Sequence, residues 1–311
     1  MDTVRFARYS GETAKIIFAP LFIGLARDYF AELDIEVVDL DLREQPWETV
    51  AAHNADCGAG NIDYVVDPKW AGRMKAVVVH EQFRAGHGLT SLLARADLVK
   101  QGNLTDDPAS LRGKTIALPP GRGDDYLAYY GALRQGGLTI DDVQIAEMGH
   151  GESEELDTVD IKIGRRPRSV VRDLTQGGWT RWKQGDEIHQ DLQARYLLFS
   201  NPFLEERPDV GIRFLTAYLR GARDYCDAFD RGMGRQELIN LLVRETGEST
   251  ELLNAMKPLG FSPNGVVDLE RLAIELDLLR ARNLVPSNTK ADDVVNNRFA
   301  EAAVERLGPY R

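Results

Sequence analysis

Through the first two hundred positions, short apolar runs rich in Val and Ile alternate with segments whose apolar residues recur every three or four positions. The runs predict strands over residues 4–9, 35–40, 75–81, 89–95, 115–118, 143–148, 160–164 and 193–200. The segments between them predict helices over 19–30, 47–53, 124–135 and 168–176. Such alternation predicts an α/β protein with mainly parallel sheets. After Pro202 the texture becomes helical. Val210, Ile212, Phe214, Leu215, Tyr218, Leu219 and Ala222 mark the apolar face of a long helix over 208–229. Further helices are expected over 234–245, 249–256, 268–282 and 291–306, with Pro263-Asn264-Gly265 as a turn.

The chain has 311 residues, long enough for one large domain or two of ordinary size. Its formal charge of −11 argues against nucleic acid and anionic membrane surfaces as partners. No run of apolar residues is long enough to enter a membrane. Met1-Asp2-Thr3-Val4-Arg5 leads straight into the first strand without a secretory leader pattern. The expectation is a cytoplasmic protein as the chain stands, and a periplasmic or lipid-anchored one if a leader has been removed. Cys57 and Cys226 are too far apart for a zinc motif, and a reduced pair is expected. His80 and His87 match no standard metal-ligand spacing, so no metal and no cofactor are expected.

Two segments carry anion chemistry on physical grounds. In Leu118-Pro119-Pro120-Gly121-Arg122-Gly123-Asp124-Asp125, a glycine-rich loop feeds a helix start, where backbone N–H groups of Gly121, Arg122 and Gly123 favour an anion. Capping by Asp124 or Asp125 would occupy those donors instead. Gly164-Arg165-Arg166-Pro167-Arg168 places three guanidinium groups just beyond a strand, suited to carboxylate, sulfonate or phosphate. The alternative is a solvated basic turn that offsets the acidic 152–157 segment.

The stretch from Ser10 to Glu36, with Ala19-Pro20-Leu21 and Tyr29-Phe30, resembles the opening of the solute-binding proteins of nitrate, taurine and sulfonate importers, a group that includes the thiamine-pyrimidine synthase-like proteins. Arg112–Leu127, the helix over 208–230 and the closing segment 296–311 are similar to later parts of the same family. The resemblance implies a two-lobed type II periplasmic binding-protein-like fold, with a ligand cleft between the lobes and a helical C-terminal tail. One lobe would hold residues 1–83 and 201–311, the other 84–200, with crossings near 82–88 and 200–201. It further implies that Ser10 and Gly11 after the first strand, Gly60 and Asn61 after a glycine-rich strand end, and Arg84 and His87 at the first crossing face the ligand. Relatives carry an acidic residue before the proline at 167. Arg166 stands there instead, which reverses the local charge.

The expected function is a solute-binding protein that closes on a small anionic, aromatic or heterocyclic ligand and hands it to an ABC permease. The rival is a cytosolic lyase on the same fold, a decarboxylase or desulfinase, with Cys57 or His87 in catalysis. No Ser-His-Asp pattern and no cysteine-rich run can be placed, which argues against hydrolysis and against thiamine-pyrimidine synthesis.

Overall fold

A computed structural model of the protein describes residues 1–10, 14–42, 45–88, 90–118, 123–146, 159–164 and 167–311, with the backbone alone at 14, 123–125 and 167. The chain divides into two compact units. The first comprises Met1–Gln82, Gln193–Asn254 and Phe261–Arg311, and the second Phe83–Leu192 and Ala255–Gly260.

The first unit is built on a five-stranded sheet. Its strands are β1 (Asp2–Tyr9), β2 (Ile35–Leu42), β3 (Cys57–Gly60), β4 (Met74–Gln82) and β10 (Gln193–Ser200), in the order β2-β1-β3-β10-β4. β1 runs parallel to both neighbours, whereas β10 is antiparallel to β3 and β4. The pairing of β10 puts the second boundary before Gln193 rather than at 200–201. The loop 255–260 adds two further passages between the units, and Gly88 N–H bonds the Pro258 carbonyl at 2.9 Å within the second unit.

The second unit carries β5 (Ser91–Arg95), β6 (Thr115–Ala117), β7 (Gln144–Ala146), β8 (Ile161–Gly164) and β9 (Trp179–Gln184), in the order β7-β6-β8-β5-β9. β6 is parallel to β7 and β8, and β5 is antiparallel to β8 and β9. Both sheets are therefore mixed, which corrects the expectation of mainly parallel ones. Each unit receives one strand that returns antiparallel, and a run of apolar residues does not record its direction.

The core of the first unit forms where the apolar face of the helix Pro208–Asp230 meets the sheet. Phe6, Phe18, Phe30, Phe199, Phe214 and Tyr218 are nearly or fully buried there and meet mostly edge-on or tilted. Gly221 lets that helix pass close to the helix Ala19–Ala26, since a Cβ at 221 would stand 2.1 Å from the Pro20 carbonyl oxygen. The expected helix over 291–306 is in fact two, Ala291–Val294 and Arg298–Leu307. Val295 forms a bridge with Ala76, and Asn297 exchanges two side-chain bonds of 2.9 Å with the backbone of Val267. Those tertiary bonds outcompete helix continuation.

Candidate functional site

The carboxyl ends of β1 and β3 lie side by side. The last parallel pair between them is Ala7↔Gly58, so Tyr9 and Ser10 on one strand and Gly60 and Asn61 on the other follow at equal steps. Strand carboxyl ends are where open α/β sheets expose loops to ligands. Ser10 is exposed, and its N–H bonds the Leu42 carbonyl at 2.7 Å, fixing the strand end while leaving the side chain outward of the ladder. Asn61 takes the N-cap position of the helix Ile62–Val66 with extended backbone, yet its side chain makes no capping bond. Only 6% of Asn61 is exposed. A buried amide with donor and acceptor capacity left over is suited to reading the edge of a ligand.

Aromatic rings crowd this end of the sheet. Trp47, from the helix Pro46–Ala51, stacks on Tyr64 with ring centroids 3.7 Å apart and planes within 6°. Tyr9 meets Trp47 edge-on at 6.1 Å. Gly60 permits the assembly: a Cβ there would stand 2.8 Å from a Leu198 methyl and 3.4 Å from the Trp47 Cβ. Sequence reading placed Gly60 and Asn61 at a strand end but gave no role to Trp47 or Tyr64. An isolated Trp near a helix start carries no periodic signal that separates a stacking ring from a core one.

In the second unit, Phe83–Gly88 is pinned at several points. Phe83 exchanges backbone bonds with Leu192 and Asp191, Gly86 N–H bonds Asp186 at 2.7 Å, and His87 Nδ1 donates to the Ala85 carbonyl at 2.8 Å. Arg84 and His87 are both half-buried and both engaged in interactions.

Beside this segment lies a pocket lined by Gly88, Ser91, Val170, Val171, Arg181, Met256 and Lys257. Gln184 sets its rim. Its amide nitrogen donates to the carbonyls of Gly88 and Thr90, and its oxygen accepts from the Ser91 hydroxyl. Arg181, on β9, has its Nε buried with no hydrogen-bond partner. Burial holds its pKa below the ordinary guanidinium value, against the opposing charge of Glu187. Neither Arg181 nor Lys257 makes an ion pair among the described residues. In the sequence, Trp179 and Trp182 flank Arg181, and nothing in their spacing singles out the arginine. Trp182 does pack, its Nε1 donating to the Thr105 carbonyl at 2.6 Å, while Trp179 lies under the Lys162 ammonium.

Gly11, Gly121, Arg122, Arg165 and Arg166 lie outside the described residues; Gly123 opens the helix Gly123–Gln135. A larger pocket of about 350 Å³, bounded by Tyr130, Arg134 and His189, sits at the opposite, C-terminal end of that helix.

Cys57 is fully buried on β3, and burial, with Asp56 beside it, pushes its thiol well above the ordinary range. A nucleophilic cysteine needs the reverse, exposure and a lowered pKa. Cys226 is likewise buried, and both thiols are free.

The sequence model of the family described as NMT1/THI5 like matches residues 15–228. The chain belongs to this family. A curated relative, the riboflavin-binding protein RibY of Chloroflexus aurantiacus, is 25% identical over 219 residues, 67% of this chain. The chain spans 59% of that relative's length. Among solved structures, the periplasmic aliphatic sulphonate-binding protein SsuA of Escherichia coli superposes with a TM-score of 0.70 at 18% identity, covering 96% of this chain and 92% of SsuA. The desulfurization enzyme DSZB superposes with a TM-score of 0.62 at 14% identity, covering 99% and 100% of the two chains. At these identities both structures speak to fold alone. This NMT1/THI5-like chain has the α/β architecture of the periplasmic binding proteins, and that architecture also carries an enzyme.

Proposed function

We propose that the protein is the solute-binding component of an ABC-type importer, acting outside the cytoplasmic membrane, and that its ligand is a small anion bearing a flat ring. Membership of the NMT1/THI5-like family supports the binding role, as do the names of RibY and SsuA. The observation that carries the ring is the Trp47–Tyr64 stack beside the buried Asn61 amide, at the strand ends where α/β proteins bind ligands. A planar ring laid on the more exposed Tyr64 would extend the stack, and such pairs contribute about 0.5–1.5 kcal/mol beyond area burial. Ser10 and Asn61 would bond the ring's edge. Arg84, His87, the backbone of Gly11 and Gly121–Gly123, and the guanidinium groups of Arg122, Arg165 and Arg166 remain proposed contacts. In this reading a permease takes the ligand from the protein.

The lyase alternative gains no support from Cys57, whose sealed thiol cannot reach a substrate. The test is a calorimetric titration with riboflavin, flavin mononucleotide, and aromatic carboxylates and sulfonates, each beside a non-aromatic anion of the same charge. Saturable binding of an aromatic member, weakened about tenfold in Tyr64→Ala, is the expected result. Equal binding of the non-aromatic anions would remove the ring from the proposal.

A further inference from the structure

We infer that the Arg181 pocket of the second unit is an oxyanion receptor that takes the carboxylate, sulfonate or phosphate end of the ligand. This role rests on the solute-binding reading above; the receptor chemistry itself rests on the pocket.

The guanidinium supplies the argument. Arg181 sits on an edge strand, with Nε out of reach of solvent and without a hydrogen-bond partner among the described residues. A buried donor left unpaired is destabilising, more so when the group is charged, and such groups are rare in folded proteins. Lys257 adds a second positive charge to the same lining. Among the described residues Glu187 is the acid that acts on Arg181 through its charge, and its carboxylate is already bonded to the Gln184 N–H at 2.6 Å. An arriving oxyanion would therefore meet two cations, Arg181 and Lys257, that form no ion pair among the described residues.

The rest of the lining fits an end group rather than a whole ligand. Val170, Val171 and Met256 supply apolar lining. The Ser91 hydroxyl is committed as donor to Gln184, so recognition falls to Arg181 and Lys257. Gln184 holds both Gly88 and Ser91, so the rim is in place before an anion arrives. Preorganised donors of this kind bind with less ordering cost.

The experiment is a titration of the wild-type protein with sulfate, methanesulfonate, acetate and phosphate at constant ionic strength, read by the nitrogen-15 resonance of the Arg181 Nε–H. Arg181→Lys assigns that resonance by its disappearance. A saturable shift of this resonance with at least one anion supports the inference, and the anion that saturates first names the end group. Thermal stabilisation by that anion should then need at least tenfold higher concentration in Arg181→Lys. An Arg181 resonance that stays put, or shifts linearly along with the surface arginines, overturns the inference. If Arg181→Lys does not fold, Lys257→Ala replaces it in the stability arm, and the wild-type titration still decides. A null result leaves the importer reading to be judged by whether the protein binds any solute at all, so the two failures are distinguishable.

Discussion

The Tyr218 hydroxyl lies 2.6 Å from His80 Nδ1 in the buried core of the first unit, with the ring of Phe18 stacked on the imidazole at 5.5 Å. Burial, with a smaller contribution from the charge of Arg195, lowers the His80 pKa from 6.5 to about 3. His80 is thus neutral in the folded protein and would be charged in the unfolded chain below pH 6.5. Between pH 6.5 and about 3 the unfolded state binds the extra proton, so this group's contribution to stability falls as pH falls.

Glu275 acts in the opposite direction. Burial in the helix Leu269–Ala281 raises its pKa from 4.5 to about 8, with the Gln193 N–H donating to it at 3.4 Å. The folded state keeps the proton that the unfolded chain loses above pH 4.5, so stability falls as pH rises from there through 8. The two effects oppose each other between pH 4.5 and 6.5, each about 1.4 kcal/mol per pH unit at most. In Glu275→Gln only the histidine effect remains. Its melting temperature should fall on acidification from pH 6.5 to 4.5, and at pH 8 should exceed that of the wild type by several degrees. Parallel pH profiles for the two proteins would show that Glu275 does not hold its proton in the fold.

Gly221→Ala should cost about 1–3 kcal/mol, because the new methyl meets the Pro20 backbone rather than a movable side chain. Gly178→Ala, with nothing within 4 Å of the added carbon, is the control and should change little. Urea unfolding of both variants checks this. Equal stabilities would mean that the two helices are less tightly apposed than described.

Neither Cys57 nor Cys226 should react with a thiol reagent in the folded protein, and both should react once it is unfolded in guanidinium. Rapid labelling of one thiol under native conditions would reopen the catalytic reading of Cys57.

Much of the fold was legible because strand and helix periodicities survive in the pattern of apolar residues. The expected strand over 193–200 matches β10 at both ends, and the expected long helix differs from Pro208–Asp230 by one residue. Two strands were missed for physical reasons. β3 is Cys-Gly-Ala-Gly, too small and too flexible to carry a strand signal, and it is a strand because β1 and β10 pair with it on both sides. β9 reads Trp-Thr-Arg-Trp-Lys-Gln, and its two tryptophans at a spacing of three obscure the alternation of a strand. The candidate site divides in the same way. Ser10 follows a strand end legible in the apolar pattern and Gly60 and Asn61 come from the family resemblance, whereas Trp47, Tyr64 and Arg181 become visible only once tertiary contacts show what surrounds them.

The central claim is that the protein binds a solute and does not transform it. Native mass spectrometry of the protein incubated with its tightest-binding aromatic anion, followed by denaturation and mass analysis of the released small molecule, tests this directly. The account predicts one ligand per chain, released at its original mass after prolonged incubation. Release of a product lighter by carbon dioxide or sulfite, formed over many turnovers, would contradict it.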